Sequence, residues 1–172
     1  MSSLNKDTFL RSLLFYFPTL ILFLSVLNEI DLNYLNIEYF SFNFVYILIF
    51  YWTLKNANYL GYGSIFISGL INDVVIGTPI GISSFCFLLI CAVTAYLRNI
   101  TLTPNFINDW ISLLFTILLV NSIQALALDL IFSFEVNYMK YFINTGFTFI
   151  FYPLFLFIFD SLERKIKIKK ND

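Results

Sequence analysis

The sequence predicts an all-α integral membrane protein in which six transmembrane helices form one domain over residues 1–172. Three observations predict it. Of the residues, 59% are hydrophobic and only 12% charged, whereas soluble domains carry about a quarter charged residues, so the polar surface that water requires is missing. The mean hydropathy is +0.82. Marking every Asp, Glu, Lys and Arg leaves six uncharged runs, at 12–28, 39–54, 56–72, 74–97, 110–128 and 141–159, each 16 to 24 residues long. A helix needs about 20 mainly apolar residues to cross the hydrocarbon core, so each run, extended by a residue or two, can span.

The first run follows Lys6 and Arg11, a pattern that also opens secretory signals. It is longer than the apolar core of a signal and no small-residue cleavage site follows it, so a retained first helix is expected. Asn28 to Glu38 is an acidic, Asn-rich loop, and Lys55 to Asn58 a short polar one. On the third helix, steps of about 100° per residue gather Gly61, Ser64, Ser68, Gly69, Asn72 and Asp73 on one half and leave Phe66, Ile67, Leu70 and Val74 opposite. Close helix contact is expected on the first side, lipid on the second. Gly77-Thr78-Pro79 signals a turn into the fourth helix. There, Cys86 and Cys91 point about 140° apart and read as small core residues. Beyond the Arg98 to Asp109 connection, the fifth helix carries a second polar arc of Asn121, Ser122, Gln124, Ala125 and Asp129. Ser133 to Lys140 leads into the sixth, and no internal repeat is visible.

Basic residues set the orientation, because Lys and Arg in short loops stay on the cytoplasmic side. With the amino terminus inside, nine of the ten basic residues are cytoplasmic and only Lys140 is outside. Six crossings return the carboxyl terminus to the cytoplasm. Arg164-Lys165-Ile166-Lys167-Ile168-Lys169-Lys170 then lies just past the last helix, as a topology anchor or as a docking site for a cytoplasmic partner.

The residue inventory removes whole classes of function. The chain has no histidine, the commonest general base and metal ligand, so Ser-His and Cys-His nucleophile arrangements fail and no metal site is expected. It has no Gly-rich phosphate loop to hold ATP, and no cofactor is expected. Two cysteines and a net charge of -1 exclude a disulfide scaffold and a nucleic-acid binder. The polar residues at membrane depth remain, and such groups normally face protein or water. Asp73 and Asp129 both fall toward the outer ends of their helices. A proteolytic dyad is one reading of that pair. The simpler one has Asp73 accepting hydrogen bonds from the amides of the Gly-Thr-Pro turn and Asp129 reaching the interface.

The segment from Ser68 to Phe85 is built as helix, tight turn, helix: Gly77 supplies a permissive backbone, Pro79 fixes the entry to the next helix, and Gly81 is expected to let the two helices pack closely. In Gly69, Leu70, Asp73, Gly77, Pro79 and Gly81 it resembles the signature of the rod shape-determining MreD family, a Gly-Leu-x-x-Asp helix end followed by Gly-x-Pro-x-Gly. Asn72 and Ile82-Ser83 stand where members often carry Leu or Gln, and His or Asn. The resemblance implies a multi-pass component of the cell inner membrane without catalytic activity. It would act in cell elongation and peptidoglycan synthesis by binding the single-span protein MreC. MreB, RodA and a class B penicillin-binding protein would be associated less directly. It also implies a fold similar to the substrate-binding subunits of energy-coupling-factor transporters. A vitamin-type transport subunit is therefore the competing reading. Gly69, Asn72, Asp73, Gly77, Pro79, Gly81, Asn121, Gln124 and Asp129 are the residues expected to serve structure or partner binding.

Overall fold

The computed structural model describes residues 16–27, 42–55, 59–100, 105–134 and 136–171, the side chains of 165–171 excepted. Among them are six helices and no strand: α1 (Tyr16–Leu27), α2 (Phe44–Lys55), α3 (Tyr62–Ile76), α4 (Ile82–Ile100), α5 (Phe106–Phe132) and α6 (Tyr138–Asn171). Three contain stretches long and apolar enough to cross a membrane, namely Ile82–Ile100, Phe106–Phe132 and Tyr138–Arg164. The other three are shorter apolar helices. The charges expected in the loop from Asn28 to Glu38, along with Lys6 and Arg11, lie outside the described residues.

α2 forms the centre. Its sequence, FVYILIFYWTLK, is apolar on every side, and Val45 through Thr53 are all buried where it meets α4, α5 and α6. A helix without a polar face is expected in a protein interior or in lipid, and its neighbours decide between the two. Tyr46 sets its ring edge-on to Phe87 of α4, Phe50 does the same to Tyr152 of α6, and Tyr51 and Trp52 pack on Phe159. The outer helices turn apolar side chains outward instead, with Ile111, Phe115, Leu126 and Leu130 of α5 and Ile150, Leu154 and Phe157 of α6 all exposed. Exposed apolar surface on this scale fits a lipid solvent rather than water.

Backbone groups at the helix ends find partners. The Asn43 amide, just before α2, donates to Thr148 Oγ1 at 2.9 Å, and the same hydroxyl donates to the Asn144 carbonyl at 2.6 Å. Arg98 donates to the Thr53 carbonyl at 3.2 Å in the last turn of α2. α5 starts earlier than its uncharged run, because the Asn105 side chain caps it by accepting from the Ile107 amide. Asp109 thereby joins the first turn of α5, where a negative charge suits the helix dipole. α5 also ends later than expected: Ser133 takes the left-handed conformation at φ 53°, and the Phe134 amide closes back on the Leu128 carbonyl.

Pro153 lies inside α6 and has no amide hydrogen to give the carbonyl of Phe149, four residues earlier. An indole supplies the missing donor. Trp110 Nε1 of α5 donates to that carbonyl at 2.9 Å, and the Trp110 and Phe149 rings stack at 4.6 Å and 9°. An unpaired carbonyl in hydrocarbon costs several kcal/mol, so the proline and the tryptophan act as a pair.

Candidate functional site: the hairpin of α3 and α4

Among the described residues, α3 and α4 make the most extensive helix pairing. The glycine at 69 permits it. A Cβ on Gly69 would run into the backbone of Ser84 on α4, 2.5 Å from its amide nitrogen and 2.8 Å from its hydroxyl. With no side chain there, Ser84 Oγ reaches across to donate to the Phe66 carbonyl at 2.9 Å. Gly69, Ser68 and Asp73 are buried on this side, while Phe66, Ile67 and Val74 are exposed on the other.

The chain leaves α3 through Gly77, whose φ of 79° gives the left-handed cap, and the amides of Gly77 and Thr78 both donate to the Asp73 carbonyl, at 2.9 and 3.0 Å. Four residues later α4 begins with amides that have no partner inside their own helix. The Asp73 side chain takes two of them. Its Oδ2 accepts from the Gly81 amide at 2.7 Å, and its Oδ1 accepts from the Ser83 amide at 2.9 Å and from the Thr78 hydroxyl at 2.8 Å. The carboxylate is wholly buried, 0% exposed. A negative group at the start of α4 also interacts favourably with the dipole of that helix. Asn72 adds a further tie, donating from Nδ2 to Ser83 Oγ at 2.9 Å, and the Pro79 carbonyl accepts from the Ile82 amide at 3.3 Å.

Gly81 does not have the role expected of it. A Cβ there would meet nothing within 4 Å, and the reason for glycine is its φ of 106°. Close approach belongs to Gly69, whereas Gly77 and Gly81 serve backbone conformations that side chains rarely adopt.

The polar arc of α5 divides. Asn121 is buried and donates to Thr145 Oγ1 of α6 at 2.8 Å, and Gln124 Oε1 accepts from the Tyr46 hydroxyl of α2 at 3.0 Å. Ser122 instead faces outward, because its hydroxyl is satisfied by the Leu118 carbonyl of its own helix at 2.7 Å and needs no neighbour. Asp129 is exposed in the last turn of α5 and accepts from the Tyr138 hydroxyl at 3.0 Å. Thus one aspartate is enclosed by the hairpin turn and the other lies on the surface, which is not the shared environment a proteolytic dyad requires. Cys86 and Cys91 are both buried and free.

A second polar cluster escaped the sequence reading. Tyr51 donates to Asp160 Oδ1 at 2.6 Å, with Glu163 Oε2 at 3.4 Å, and Lys55 pairs with Asp160 Oδ1 at 3.6 Å. These contacts lock the end of α2 to the far half of α6. Asp160 and Glu163 fall one helical turn apart beyond an apolar run, which is the signal that could have pointed to them.

No curated protein and no solved structure gives a match to the chain. The model of the family described as rod shape-determining protein MreD matches residues 8–162, nearly the whole length and the entire α3–α4 hairpin, and the chain belongs to that family.

Proposed function

We propose that this protein is a non-catalytic, multi-pass scaffold of the inner membrane that contributes to cell shape by binding an MreC-like single-span partner, and through it to peptidoglycan synthesis. Membership of a shape-determining family carries the reading. Six crossings, with both termini cytoplasmic, are part of the proposal. α1, α2 and α3 would complete their spans with flanking residues, and the distribution of basic residues supports the orientation. The α3–α4 hairpin, closed by Asp73, is the rigid element proposed to present Gly69, Asn72 and the neighbouring turn in a fixed arrangement. Asn121 and Gln124 are proposed to hold α5 against α6 and α2.

Co-expression with the MreC-like protein of the same cell, followed by purification in mild detergent, tests the proposal. A complex of the two is expected, and depletion of this protein should turn rods into rounded cells. A well-folded protein that never captures the partner, in cells that keep their shape without it, would overturn the reading.

A further inference from the structure

We infer that the tip of the α3–α4 hairpin, from Val74 to Ile80, is a lipid-binding surface that ends short of the outer membrane boundary and is covered by acyl chains of the outer leaflet. The inference rests on the multi-pass reading above. The charges on α5 and α6 mark the two boundaries. Asp109 and Asp129 are 20 residues apart on α5, and Lys140 and Asp160 are 20 apart on α6. At about 1.5 Å per residue each pair spans about 30 Å, the thickness of the hydrocarbon core. Tyr138 donates to Asp129 at one end, and Lys55 pairs with Asp160 at the other.

The hairpin is shorter than that span. Arg98 donates to the Thr53 carbonyl near the end of α2, so it lies close to the inner level of Lys55 and Asp160. From Arg98 back to Ile82, where α4 begins, is 16 residues or about 24 Å, which leaves the turn about 6 Å short of Lys140. The outer contacts of α2 give a second estimate. Tyr46 meets Phe87 edge-on, and Asn43, three residues further out, bonds Thr148 of α6. Lys140 then lies about 17 Å above Tyr46, whereas Ile82 lies about 8 Å above Phe87, a shortfall of about 9 Å.

The chemistry of the tip suits that depth. Irregular backbone within hydrocarbon has to be satisfied by protein, and the amides of Gly77, Thr78, Gly81, Ile82 and Ser83 are all taken inside the hairpin. Pro79 has no amide to offer, and the Thr78 hydroxyl turns inward to Asp73. What faces outward is aliphatic: Ile80 is 74% exposed and Val74 70%, with Val75 and Ile76 exposed beside them. No charged residue occurs between Asp73 and Arg98. The surface is continuous with the exposed apolar side of α3 at Phe66 and Ile67 and with Phe85 of α4, so acyl chains that line the helices also cover the turn.

Nitroxide labels placed singly at Ile80→Cys, Val74→Cys, Met139→Cys and Ile150→Cys in the full chain test the inference. All four positions are exposed, whereas Cys86 and Cys91 are buried, and the unsubstituted protein checks that these two stay unlabelled. In phosphatidylcholine bilayers, collisions with oxygen, which concentrates in lipid, are compared with collisions with a water-soluble nickel chelate. Oxygen is expected to dominate at 80 and 74, as at the mid-span position 150, with 74 deeper than 80, and nickel to dominate at 139. Nickel-dominated labels at 80 and 74 beside an oxygen-dominated label at 150 would overturn the inference and leave the membrane reading standing. Shielding of 80 and 74 from both reagents, as a protein contact on the tip would give, would overturn it as well. A nickel-dominated label at 150 would refute the membrane reading on which it rests.

Discussion

Replacing Asp73 by alanine removes the acceptor of three hydrogen bonds at once, from the amides of Gly81 and Ser83 and from the hydroxyl of Thr78. The hydroxyl can rotate toward another acceptor, but the two amides are fixed at the start of α4, in a place with no exposure to water at the side chain that served them. A buried donor left unpaired costs about 1–3 kcal/mol, so the loss is on the order of 2–6 kcal/mol, comparable to the whole stability of many domains. Asparagine separates this account from a simple effect of volume. With its oxygen in the Oδ1 position it still accepts from Ser83 and Thr78, while its amide nitrogen faces the Gly81 amide donor to donor, and the expected cost falls to about 1–3 kcal/mol. Thermal unfolding of the purified variants in detergent, followed by tryptophan fluorescence and by size-exclusion recovery, should rank the native protein above Asp73→Asn and that above Asp73→Ala. An alanine variant as stable as the native protein, or an asparagine variant worse than alanine, would refute the reasoning.

Two glycines of the hairpin, Gly69 and Gly77, should respond differently in the same assay. Gly69→Ala forces its Cβ into the Ser84 backbone and should cost about 1–3 kcal/mol through overpacking. Gly77→Asn, at a left-handed φ that asparagine tolerates, should stay within about 1 kcal/mol of the native protein. Trp110→Phe leaves the Phe149 carbonyl without its donor and should destabilise by about 1–3 kcal/mol. In a Pro153→Ala background, where the helix itself supplies the missing amide, the cost of Trp110→Phe should shrink, giving a coupling of at least about 0.5 kcal/mol in the double-mutant cycle.

Much of the hairpin was legible because the reasons for it are local. Gly77 and Pro79 can be read as a turn from type alone, and an aspartate four residues before that turn is within reach of the amides that follow it. Gly69 was legible for the same reason, since a small residue on the polar side of an apolar helix marks close approach. Gly81 was misread because a glycine required for its φ and a glycine required for its size look identical in a sequence. The limits of α5 moved at both ends because capping by Asn105 and the left-handed turn at Ser133 override a boundary drawn from charges. The identity of the central helix was not legible at all: α2 is apolar on every side, and lipid and protein interior place the same demand on such a sequence.

The pairing of Pro153 with Trp110 shows what a sequence read one helix at a time leaves out. Proline in the sixth apolar run announces an orphaned carbonyl at residue 149, and in hydrocarbon that carbonyl requires a donor. The local sequence names the debt but not the residue that answers it, which stands 39 positions away on another helix. The same logic applies to Tyr51 with Asp160, 109 positions apart, and to Asn43 with Thr148, 105 positions apart. In each case a polar or backbone group on or just before one apolar helix is satisfied from another helix. Without a hydrophobic force to press helices together inside a bilayer, such pairs and close backbone approaches decide which helices are neighbours. The α3–α4 hairpin has both, at Asp73 and at Gly69, and is accordingly the most extensive helix pairing among the described residues.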